Sequence, residues 1–111
     1  MKQIYPNMIT NLPKADISFK GVKGWLSQSK SHQIVFFEIE PIGKVAEHSH
    51  GPQWGIVIEG TMELTIDGAI KTFNKGDSYY IPDGVLHSAV FKSKTWVMDY
   101  FADRYRYKPQ K

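Results

Sequence analysis

The chain has 111 residues, of which 41% are hydrophobic, 14% aromatic and 23% charged, and it contains no cysteine. That length corresponds to one domain able to bury a core without disulfides, and the missing thiol excludes thiol catalysis, iron–sulfur clusters and thiolate zinc fingers, so any metal must be held by nitrogen and oxygen. The net charge of +3 divides into basic ends and an acidic middle, where residues 38–91 carry eight acids against three lysines; this excludes a central basic, base-stacking surface for nucleic acid.

The N-terminal stretch MKQIYPNMITNLPKAD has no apolar run of the kind a secretory signal needs, and no segment approaches the roughly 20 apolar residues of a membrane span. A cytoplasmic protein without membrane contact is expected. Hydrophobic residues then recur with period two. Ile17 to Lys20 and Val22 to Ser27 read as short strands. In His32 to Glu40, Val35, Phe37 and Ile39 share one face, and Ile34 and Phe36 share the other with Glu38 and Glu40. Trp54 to Glu59 is β-rich. Thr61 to Asp67 alternates Met62, Leu64 and Ile66 with Glu63, Thr65 and Asp67, and Asp67-Gly68 supplies a type I′ hairpin turn into Ala69 to Phe73. Ser78 to Ile81, Leu86 to Lys92 and Thr95 to Phe101 complete about nine strands, with turns at Asn74 to Asp77 and Pro82 to Gly84. An all-β sandwich or barrel follows, organised as one domain over 1–111: N-terminal strands over 1–40, a central region over 43–91, and a last strand with a partly disordered basic tail over 95–111.

Two of the four histidines form His48-Ser49-His50. On a strand, i and i+2 share a face, so two imidazoles converge on one point as a metal requires. Gly51-Pro52 breaks the strand and lets Gln53 return to the inner side, and His87 follows the Pro82 to Gly84 turn at the start of a strand able to lie beside the first.

The frame Gly43-x4-His48-x-His50-x2-Gln53-x6-Gly60, followed fifteen residues later by Gly76-x5-Pro82-x-Gly84-x2-His87, resembles the two motifs of the cupins, G(X)5HXH(X)3,4E(X)6G and G(X)5PXG(X)2H(X)3N. The first glycine spacing is one residue short, Gln53 stands where the motif has Glu, and Phe91 stands where it ends in Asn. The resemblance implies a double-stranded β-helix, a jelly roll of two antiparallel sheets, holding one divalent metal through His48, His50, Gln53 and His87. Zn, Ni, Fe, Mn and Cu all suit such nitrogen-rich sites. Neutral ligands leave the full 2+ charge on the ion, which favours a small, oxygen-rich anionic ligand.

The chain's end is also similar to small cupins that linearise unsaturated uronates, where an Asp-x-Phe and a following Arg lie near the metal. Asp99 and Phe101 match, while Arg104 comes one residue early. Asp99 either shuttles a proton inside the barrel or pairs with a cation at the rim, and Arg104 is the candidate for binding a substrate carboxylate. Trp54, Tyr79, Tyr80, Trp96 and Tyr100 are candidates for a pocket, or for core and interface. Three functions remain open: Lewis-acid isomerase or lyase chemistry, a metal-dependent dioxygenase, and a non-catalytic sugar-acid binding or sensing module. The apolar Ile34/Phe36 face is covered by N-terminal strands or by a second copy, and a homodimer is expected.

Overall fold

The computed structural model describes residues 3–111; Met1 and Lys2, the start of the segment read as 1–40, lie outside them. A single turn of helix, α1 (Asn7–Thr10), precedes nine strands: β1 (Val22–Gln28), β2 (Gln33–Ile39), β3 (Gly43–His48), β4 (Gln53–Glu59), β5 (Thr61–Ile66), β6 (Ala69–Asn74), β7 (Ser78–Ile81), β8 (His87–Phe91) and β9 (Thr95–Phe101). They form two antiparallel sheets ordered β1-β2-β9-β4-β7 and β3-β8-β5-β6. This is the jelly roll of two facing layers. Among the described residues no helix is long and apolar enough to cross a membrane.

Period-two alternation builds the core. Along β2, Gln33, Val35, Phe37 and Ile39 are buried, and the residues between them are half-buried. Met62 and Leu64 of β5 and Val97 and Phe101 of β9 join them between the sheets. Asp67 and Gly68 both have positive φ, 49° and 81°, as the β5–β6 type I′ turn demands.

One expected strand is absent from the structure, and one strand, β3, forms outside those read from the hydrophobic pattern. Ile17 to Lys20 is not a strand; the chain there is held by Ala15 N–H donating to the Gly24 carbonyl, and Ile17 packs on the core while Phe19 is exposed. β3 carries no clear alternation because it is an edge strand, bonded only to β8, with four of its six residues exposed.

A second apolar cluster sits on the outside of the five-stranded sheet. Tyr5 and Trp25 pack there with Trp96, joined by Ile9, Leu12 and Phe36. The Tyr5 hydroxyl donates to the Phe37 carbonyl at 2.7 Å, pinning the N-terminal segment across the sheet. Part of the Ile34/Phe36 face is therefore covered by the chain's own N-terminal segment, through α1 and its flanks rather than strands.

Candidate metal centre

His48 is the last residue of β3 and pairs directly with His87, the first of β8. A register shift between Val45 and His48 turns the strand end, and His50 lies just beyond it. Convergence of the three rings is thus produced by an irregular strand end, not by simple alternation. The Gly84 N–H donates to the His50 carbonyl at 2.9 Å, tying the His50 loop to the turn that launches β8.

The ring centroids are 4.2 Å (His48–His87), 4.7 Å (His50–His87) and 5.4 Å (His48–His50) apart. One nitrogen from each ring falls within 4.8 Å of the others. Each Nδ1 lies against a backbone carbonyl: Ala46 for His48 at 2.8 Å, Gly51 for His50 at 2.8 Å, and Val85 for His87 at 3.0 Å. A carbonyl only accepts, so each Nδ1 carries the proton and donates, leaving the Nε2 lone pair free in the neutral ring. Burial lowers the pKa of His50 to about 4 and also lowers that of His87, so both rings are neutral near pH 7. Three imidazoles oriented in this way fit a divalent ion held by nitrogen and oxygen.

The histidines stand at one end of a cavity of about 440 Å³ between the sheets. Gln53, at the start of β4, is buried and lines it. Asp99 of β9 points inward and is buried, which resolves the choice between rim and interior. Burial raises its pKa to about 6, opposed by hydrogen bonds from the Tyr79 hydroxyl, at 2.6 Å, and the Gln53 side chain. Gly55 gives this pair its space: a Cβ there would fall on the Asp99 carboxylate and the Tyr79 ring. The terminal Asn position of the second motif, Phe91, forms part of the apolar wall.

Arg104 lies away from the cavity. Its side chain is exposed, donates to the Lys30 carbonyl at 3.0 Å and covers the Tyr105 ring, so it does not line the cavity. The arginine that does is Arg106, whose guanidinium lies over the rings of Tyr107 and Phe101, 4.4 and 5.8 Å from their centroids. Its Nε is buried and without a hydrogen-bond partner in the protein. The tail is held rather than loose: the Tyr107 N–H donates to Gln33 Oε1 at 3.1 Å, and Gln33 Nε2 donates back to the Tyr107 carbonyl at 2.9 Å. Of the five candidate pocket aromatics only Tyr79 lines the cavity; Trp54, Tyr80 and Tyr100 are exposed and Trp96 belongs to the outer cluster. His32 lies outside it, stacked on Tyr100 with ring centroids 4.6 Å apart.

Comparison with solved structures places the chain beside an RmlC-like cupin from Shewanella frigidimarina NCIMB 400, with 26% identity, a TM-score of 0.73, and 82% of this chain and 84% of that one covered. KdgF from Halomonas sp. superposes with a TM-score of 0.70 at 19% identity, covering 87% of this chain and 86% of that one, a likeness of fold. A mannose-1-phosphate guanylyltransferase from Salmonella montevideo is 33% identical over 58 residues, half of this chain, which spans only 12% of that relative's length. The family model described as Cupin domain matches residues 35–101, the stretch that holds all three converging histidines, Gln53 and Asp99, and the chain belongs to that family.

Proposed function

We propose that the chain is one cupin domain that holds a divalent metal ion through His48, His50, His87 and Gln53 and acts on a small anionic molecule by Lewis-acid isomerase or lyase chemistry. The observation that carries this is the set of three imidazoles, each with Nδ1 against a backbone carbonyl and each with one ring nitrogen within 4.8 Å of the others, beside a buried carboxylate. Bound there, the ion supplies polarisation of a carbonyl or enolate oxygen. Gln53 would present its amide oxygen to the ion while its nitrogen donates to Asp99, linking ligand shell and carboxylate.

Asp99, with a pKa of about 6, lies close enough to neutrality to take a proton from carbon or hydroxyl and return it. Tyr79 fixes its orientation. Arg106 offers a guanidinium fork to a substrate carboxylate from the same end of the cavity. With a divalent ion on imidazole and amide ligands, Arg106, and the two carboxylates Asp99 and Asp16, the loaded cavity carries net positive charge and favours an anion.

The test is exchange of the C3 protons of small 2-oxo acids and of the C2 proton of small 2-hydroxy acids in D₂O, followed by NMR with metal-loaded protein. Wild type is expected to catalyse exchange, while Asp99→Asn loses it at least about 100-fold and keeps its metal. Exchange undiminished in Asp99→Asn removes the proton-transfer role. Substrate-dependent oxygen uptake with Fe or Cu instead assigns the site to dioxygenase chemistry.

A further inference from the structure

We infer that the ligand of this cavity is amphiphilic, with one anionic, oxygen-bearing head at the histidine end and an apolar aliphatic or aromatic body beyond it, rather than a polyhydroxylated sugar acid. The inference deepens the function proposed above and rests on it for the position of the head.

Sheet register shows how polarity is distributed along the cavity. In the four-stranded sheet the outermost inward row is His48 opposite His87. The next row is Val45, Ala89 and Leu64, and Phe91 follows one step further along β8. In the facing sheet the first row contains Phe101 and Gln53, the second contains Asp99, Gly55 and Tyr79, and the third contains Phe37, Val97 and Val57. Rows lie about 7 Å apart along the strands. The metal-ligating and proton-transferring groups therefore occupy a zone roughly one row step deep.

Beside and beyond that zone the cavity wall includes Leu64, Ala89, Phe91, Met62, Val97 and Ile39. Two further hydroxyls line it, that of Tyr107, whose ring lies against Phe37 and Phe101, and that of Ser18, which like the neighbouring Asp16 is exposed to solvent. The wall strands β2, β5, β8 and β9 are each flanked on both sides, so their backbone groups are committed to the ladders. A sugar acid carries a hydroxyl on nearly every carbon, and each one placed against this wall would give up water without a replacement partner. A hydrocarbon or aryl body gains from the same wall. A cavity of about 440 Å³ leaves room for such a body past the head group.

The test compares two carboxylates of nearly equal size, phenylpyruvate and D-galacturonate, by calorimetric titration of the Zn-loaded full chain and of the metal-stripped chain. Phenylpyruvate is expected to bind the loaded protein at least about tenfold more tightly. Val45→Thr, which puts a hydroxyl in the wall at constant volume, is expected to narrow that ratio severalfold. Galacturonate binding as tightly or more tightly, or binding of neither at millimolar concentration, overturns the inference. Metal dependence separates it from the reading beneath it: affinity lost on stripping with galacturonate preferred leaves the metal anchor standing and removes the amphiphilic ligand. A preference for phenylpyruvate that is unchanged on stripping removes the metal anchor and keeps the apolar body.

Discussion

Asp99 is a fully buried carboxylate whose surroundings oppose its charge. Burial sets its pKa near 6 against 3.8 for a free side chain, so the folded state binds this proton more tightly than the unfolded chain does. Its contribution to stability is full below about pH 4 and is lost as the pH rises through about 6. In the metal-free protein the difference corresponds to about 3 kcal/mol. Asp99→Asn removes this dependence, so its melting temperature should exceed that of wild type at pH 7.5 and show a smaller gain, or none, at pH 4. An equal difference at both pH values contradicts the assignment. Tyr79→Phe deletes the donor that favours the ionised form, and a ¹³C carboxyl titration should show the Asp99 pKa rising further. At this scale the histidines were legible because spacing and turn residues mark them, as was Gln53's place in the motif. Arg106 was not, since nothing in Arg104-Tyr105-Arg106-Tyr107 says which arginine turns inward; that is decided by the clamp between Tyr107 and a buried Gln33 more than seventy residues away.

At the level of elements, that clamp and the β4–β9 contact hold the site together. Gln33 makes two hydrogen bonds to the backbone of Tyr107 from a fully buried position at the start of β2. Gln33→Ala should release the tail and with it Arg106. The expected result is a carboxylate ligand bound about tenfold or more weakly, with metal content unchanged; equal loss of both would mean that the tail supports the metal end as well. Across β4 and β9, Gly55 faces Asp99 in register, and Gly55→Ala would drive a methyl into the Asp99–Tyr79 pair. A loss of roughly 1–3 kcal/mol in denaturant unfolding is expected. Most strands were readable from alternation because each has one buried face. β3 lacked the signal because it is an exposed edge, and Ile17 to Lys20 showed a strand-like pattern although no ladder forms there. Binary patterning reports burial on one face, and only tertiary pairing decides whether a ladder exists.

For the molecule as a whole, the outer face of the five-stranded sheet is only partly covered. Ile34, Tyr100, Trp54 and Tyr80 stand in one register row across β2, β9, β4 and β7, and the three aromatics are 38%, 41% and 57% exposed. This row lies beside the cluster that Tyr5, Ile9 and Leu12 cover, and a second copy of the chain suits it. Light scattering at micromolar concentration is expected to give twice 12.7 kDa, and Trp54→Glu should return the monomer; a monomeric wild type contradicts the dimer. The pairing of edge strand β3 with β8 has one consequence for the site: it brings His87 to the His48/His50 pair, thirty-seven residues earlier in the chain. Element analysis of the purified chain, incubated with Zn or Ni and desalted, tests that most directly. About one ion per chain is expected in wild type and close to none in a folded His87→Ala variant. Metal content that is unchanged by His87→Ala, or a wild type that retains no ion, would contradict a metal site at these histidines.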